Sequence, residues 1–206
     1  MFITNKRKNL NFSSKNRSPY QVPLFAMTDE KRSVNPIEMA KALPNGSILI
    51  FRHYNIKYRE SLAKKTIAIC QKRNIKCLIA GDIKLALKLP SDGVHLPQWL
   101  LQRIEKKPLL RRGMIITAAT HSRLLVTKAE KLKLDAAILS PIFPTVSHPK
   151  KISLGLIQFA SISKHCNLPI IALGGVSKKY FIRLIYAGAS GISGIQVFTN
   201  QNSSLN

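Results

Sequence analysis

Residue types able to do chemistry recur at nearly regular intervals along this 206-residue chain, each set placed just after a short apolar run. They are Thr28-Asp29, Arg52-His53, Gly81-Asp82, Gln98, Thr120-His121, the proline-bounded stretch Pro141–Pro149 and Gly174-Gly175. Arg52 carries a permanent charge on a planar fork that matches phosphate oxygens. Asp82 has two readings: a carboxylate for a hard cation such as magnesium, or the N-cap of a following helix. His121 is suited to moving a proton near neutral pH, although its neighbours Thr120 and Ser122 also suit a helix start. His95 lies inside an apolar run, where a structural role is the simpler reading, while His148 lies in a loop with Thr145 and Ser147. Gly174-Gly175, in Ala-Leu-Gly-Gly-Val, lets backbone N–H groups approach an anion with no Cβ in the way. The turn that includes Ser193, Gly194 and Ile195 would complete such a phosphate cup.

Those groups need a scaffold that brings separate loops to one face. The apolar runs are Pro23–Met27, Ser47–Phe51, Lys76–Ala80, Gly93–Leu96, Met114–Ala118, Ala136–Leu139, Pro169–Leu173 and Gly191–Val197. They are short, Ile- and Leu-rich and mostly non-alternating, as parallel strands covered on both faces should be. Helical stripes lie between them: Ala63, Ile67 and Cys70; Leu125, Ala129 and Leu132; Phe181, Leu184, Ile185 and Gly188. Asn35-Pro36 supplies a cap and a first-turn proline for a helix running through Leu43. Eight strands alternating with helices predict a single (β/α)₈ TIM barrel, with an open doubly wound sheet as the alternative. In a barrel, the sets above converge on the C-terminal mouth, and the loops after strands seven and eight form the usual phosphate site. Residues 199–206 are short and polar, so the last helix is expected to be short or missing, with the N-terminal segment or a partner subunit covering the wall.

Composition narrows the field further. Hydrophobic content is 45% and mean hydropathy is zero, as in an ordinary globular chain. No apolar run approaches the roughly 18 residues that span a bilayer. Residues 1–20 are basic and rich in Asn and Ser without an apolar core, and read as a solvated tail preceding a 21–206 barrel domain. Cys70, Cys77 and Cys166 have neither disulfide-framework nor zinc spacing, which suits a reducing, cytoplasmic setting, and Cys70 and Cys77 read as buried structural thiols. The net charge of +24 keeps a nucleic-acid-binding reading in view. The basic residues, however, are spread over every predicted helix and form no stripe interleaved with aromatics.

Taken in order, the segments Leu-Phe-Ala-Met-Thr-Asp (24–29), Asp-Gly-Val-His-Leu (92–96), Thr-His-Ser (120–122), Leu-Ser-Pro-Ile-Phe-Pro-Thr (139–145), Ala-Leu-Gly-Gly-Val (172–176) and Ala-Gly-Ala-Ser-Gly (187–191) resemble the thiamine phosphate synthase/TenI family. The resemblance implies a reaction joining a pyrimidine diphosphate to thiazole phosphate with release of pyrophosphate. Magnesium and cationic side chains would stabilise the leaving diphosphate. It places Arg52 and Asp82 on the diphosphate and magnesium and Thr145 and Ser147 beside the pyrimidine, with His53 and His148 as further cations. The TenI branch implies instead a metal-independent proton shift on a thiazole phosphate, with His121 as acid/base. A third alternative is a non-catalytic phosphate-ligand or nucleic-acid-binding barrel. The chain departs from the synthase pattern at the diphosphate end. Ile50 and Tyr54 stand where Gln and Lys are usual, Gly81 where Asn is, Leu100 where a second metal-binding Asp is, Ala119 where Ser is, and His148 where Lys is.

Overall fold

The computed structural model describes residues 22–30, 35–145 and 152–193. Its strands are β1 (Leu24–Met27), β2 (Ile48–Phe51), β3 (Lys76–Ala80), β4 (Gly93–Leu96), β5 (Ile115–Thr120), β6 (Ala136–Leu139), β7 (Ile170–Leu173) and β8 (Gly191–Ser193). They pair in sequence order, all parallel, and β1 closes on β8 through Leu24↔Ile192 and Phe25↔Ser193. The sheet is therefore a closed barrel, and the open-sheet alternative falls away. The helices between are α1 (Pro36–Ala42), α2 (Arg59–Lys72), α3 (Ile83–Lys88), α4 (Gln98–Arg103), α5 (Arg123–Lys131), α6 (Gly155–Lys164) and α7 (Lys178–Tyr186). The expected tail at 1–20 and the short or missing last helix lie outside the described residues.

Strand alternation separates two cores. Phe25, Met27, Ile48, Ile50, Leu78, Ala80, Ala136, Ile138 and Ile171 fill the barrel interior. Their neighbours one residue on, such as Leu49, Cys77, Ile79, Val94, Ala137 and Ala172, belong to the core between sheet and helices. A strand buried on both faces has no polar side, which is why the runs read as continuous apolar stretches. The helical stripes do what their spacing predicts: Ala63, Ile67 and Cys70 are all fully buried on α2. Asn35 caps α1 by accepting the Ile37 N–H, with Pro36 as its first residue.

One expectation shifts. Strand β5 runs on to Thr120 because Ala118, Ala119 and Thr120 pair with Ala137, Ile138 and Leu139 of β6. Thr120 is thus a strand residue whose hydroxyl donates to the Ile138 carbonyl. At the β8–β1 seam, Ile192 is 1% exposed and Ala26 0%, and the expectation about what covers this wall lies with residues outside those described.

Candidate active site

At the β1–β2 corner, the Thr28 hydroxyl accepts the Arg52 N–H at 2.8 Å and is hydrogen-bonded to His53 Nδ1 at 2.9 Å. The His53 ring also stacks on Phe51, with centroids 5.2 Å apart. Burial lowers the His53 pKa against the opposing pull of Glu30 and Asp29, and the Arg59 charge lowers it further, so the ring is neutral near pH 7. Arg52 leans over the interior core, its Nη1 3.6 Å from Met27 Sδ. Burial raises the Tyr54 pKa, and the nearby Arg52 and Arg59 charges partly offset that rise.

Below this mouth, His95 and Thr117 form a polar pair in the barrel wall, with Nδ1 and Oγ1 2.8 Å apart. Burial, helped by the Arg52 charge, pushes the His95 pKa down to about 3. This ring is a neutral structural group, as its place in a strand suggested.

Arg59, the first residue of α2, belongs to none of the sets read from the sequence, yet it ties this side together. Its Nε donates to the His53 carbonyl at 2.5 Å, Nη2 to the Ala80 carbonyl at 2.6 Å and Nη1 to Asp82 Oδ2 at 3.1 Å. The guanidinium also lies 5.7 Å from the centroid of the Tyr54 ring. A cation at the first position of a helix opposes the macrodipole, so an arginine there needs a specific anionic partner. That mismatch is the signal the sequence carries.

Asp82 caps α3: Oδ1 accepts the Leu85 N–H at 2.9 Å while Oδ2 meets Arg59. Each carboxylate oxygen is already engaged. The neighbouring Gly81 leaves no room for a ligand side chain. A Cβ there would lie 3.0 Å from Tyr54, 3.4 Å from Pro97 and 3.5 Å from Trp99. No group of three or more His, Cys, Asp or Glu among the described residues is placed to hold a metal ion. Asp82 serves here as the cap of α3 and the ion-pair partner of Arg59.

On the opposite side, His121 Nδ1 lies 2.6 Å from the Ser140 carbonyl and 3.1 Å from its hydroxyl. A carbonyl only accepts, so Nδ1 carries the proton and Nε2 of the neutral ring carries the lone pair. The loop after β6 continues the ladder past the strand ends: Ile142 N–H donates to Leu173 O and Phe143 N–H to Gly174 O, both at 3.0 Å. Phe143 then stacks on Tyr180 of α7 at 4.2 Å. Gly174 and Gly175 both have positive φ, +92° and +64°. A Cβ on Gly175 would fall 2.6 Å from Pro144 O, and one on Gly174 2.9 Å from Pro141 Cα. The two glycines therefore admit this loop as well as shaping the turn, a role their spacing does not reveal. Thr145 lies at its edge, its methyl 3.4 Å from where a Gly174 Cβ would be. Ser193, at the end of β8, is fully buried, and its hydroxyl has no hydrogen-bond partner among the described residues. Ser147, His148, Gly194 and Ile195 lie outside the described residues.

A closed eight-stranded barrel with its polar groups at one mouth defines a TIM-barrel site class. The thiamine monophosphate synthase family model matches residues 24–198, and the chain belongs to that family of thiamine-biosynthetic transferases. It is 34% identical over 191 residues to the thiamine-phosphate synthase of Chlorobium luteolum, covering 90% of this chain and 89% of the relative. The Chlorobium phaeobacteroides thiamine-phosphate synthase is 31% identical over 175 residues, covering 82% and 84%. Among solved structures, thiamine phosphate pyrophosphorylase from Pyrococcus furiosus superposes with a TM-score of 0.69 at 21% identity, over 85% of this chain and 86% of that one. That last likeness is one of fold.

Proposed function

We propose that this chain joins a pyrimidine diphosphate to a thiazole phosphate at the β-barrel mouth, releasing pyrophosphate. The observation that carries the phosphate half is the fully buried Ser193 hydroxyl at the end of β8, unpartnered among the described residues, next in register to Leu173 and one turn from Gly174-Gly175. An orphaned buried hydroxyl costs free energy unless a ligand satisfies it, and strand ends seven and eight are where this architecture receives phosphate. Gly174, Gly175 and Ser193 would hold the thiazole phosphate, with Gly194 and Ile195 continuing the cup. Arg52, at the opposite strand ends, would meet the diphosphate and stabilise charge as it develops on the leaving oxygens. Neutral His53, Thr145, Ser147 and His148 would line the pyrimidine between them. Bond breaking leaves a pyrimidine-methyl cation, which the thiazole nitrogen captures. The residues here orient both partners and exclude water from that cation. The reducing cytoplasm suits these substrates and the free thiols.

A second reading rests on His121. With Nδ1–H fixed on Ser140 O, its Nε2 is the correct tautomer for taking a proton from a thiazole phosphate, which is the TenI-type tautomerisation. Both readings are checked with one set of assays. Purified chain given both substrates should form thiamine phosphate, and Ser193→Ala should raise KM for thiazole phosphate about tenfold, the loss of roughly one charge-assisted hydrogen bond. No product under any metal or pH condition, together with isomerisation of thiazole phosphate that His121→Ala abolishes, would replace the first reading with the second.

A further inference from the structure

We propose that the Arg59 guanidinium occupies the role that a divalent ion has in a metal-dependent version of this site, so that Arg52 and Arg59 receive an anionic ligand with no metal between. This rests on the reading that a diphosphate enters the β2–β3 side of the mouth.

A metal ion bridging two loops there would supply positive charge and would fix the loops relative to each other. Arg59 already does both. Its three donors span the last carbonyl region of β2 at His53, the last residue of β3 at Ala80 and the cap of α3 at Asp82. The Arg59 side chain is 16% exposed and that of Asp82 36%, so the ion pair is partly shielded from solvent. An ion taking Asp82 Oδ2 would compete with that guanidinium and set a second positive charge beside it. Both guanidinium charges act on Tyr54, lowering its pKa against burial, and that of Arg59 lies 5.7 Å from the ring centroid. Two guanidiniums acting on one phenol offer N–H donors to an anion without a metal to assemble them.

The test uses the full chain. Mn²⁺ is titrated and followed by electron paramagnetic resonance, and inorganic pyrophosphate is added in thermal-shift assays with EDTA or with excess Mg²⁺. The Mn²⁺ spectrum should remain that of the free ion, and pyrophosphate should raise Tm in EDTA at least as much as in Mg²⁺. Arg59→Lys, which keeps the charge but loses the three-way fork, should weaken pyrophosphate binding severalfold without creating a Mg²⁺ requirement. A bound Mn²⁺ signal that Asp82→Asn removes overturns the proposal. So does a pyrophosphate shift that appears only with Mg²⁺, or no shift in either condition. Turnover separates this inference from the synthase reading. Pyrophosphate binding in EDTA without thiamine phosphate formation removes only the synthase reading. Formation that strictly requires Mg²⁺ removes only this inference.

Discussion

His95 and Arg59 show how differently single residues declare themselves. His95 sits in an apolar run, and an imidazole there is stable only if neutral and hydrogen-bonded, which its contact with Thr117 achieves. Its depressed pKa has a measurable consequence. The unfolded chain takes up a proton at this position below about pH 6.5 while the folded chain does not until about pH 3, so stability falls as pH drops through that window. Chemical unfolding of the wild type should lose roughly 1 kcal/mol more than His95→Gln on going from pH 7 to 5.5. Equal losses in the two proteins would show that the ring is protonated in the folded state. Arg59, by contrast, takes two of its three partners from backbone carbonyls, and its carboxylate partner lies 23 positions away. Nothing in its local pattern names those partners; only its place against the helix dipole hints that they exist.

At the scale of elements, the strands are legible because burial on both faces writes an uninterrupted apolar run. Their ends are less so: β5 reaches Thr120 because β6 offers it a pairing edge, and a neighbour's register is not encoded in the strand's own residues. The glycine pair is legible as a turn and opaque as a packing surface. Gly175→Ala would place a methyl against Pro144 O and Phe143 in a left-handed conformation. The expected cost is on the order of 2 kcal/mol, or about 4–8 °C in Tm for a domain of this size. Gly46, at φ +78° with nothing within 4 Å of where a methyl would sit, provides the comparison. Gly46→Ala carries backbone strain alone and should lower Tm by less than half as much. Equal shifts would mean that the loop yields freely and that packing against it contributes little.

For the whole molecule, charge is distributed unevenly along the chain. Residues 136–206 contain no Asp or Glu, so the barrel's β6–β8 side supplies no carboxylate to repel a phosphate. The acidic residues nearest the mouth, Asp29, Glu30 and Asp82, belong to the β1–β3 side. With a net charge of +24, the molecule should draw in phosphorylated substrates by long-range attraction. The measurable result is a severalfold fall in kcat/KM as salt rises from about 0.01 M to about 1 M, over which the Debye length shrinks from about 30 Å to 3 Å. A rate indifferent to salt would detach the charge from catalysis. Retention of duplex DNA or RNA in gel-shift assays at physiological salt would instead favour the nucleic-acid-binding alternative.

The interlock between the β6 loop and the two glycines also bears on how this mouth can change over generations. Pro141, Phe143 and Pro144 fill the space that side chains at 174 and 175 would claim, so neither segment can drift without the other. Tyr54 and Trp99, across the mouth, meet Gly81 only through side-chain atoms and carry no such lock. New specificity should therefore arise first at positions 54 and 99, and a mutational library that spares 141–144 with 174–175 should retain many more folded members than one that spreads changes evenly.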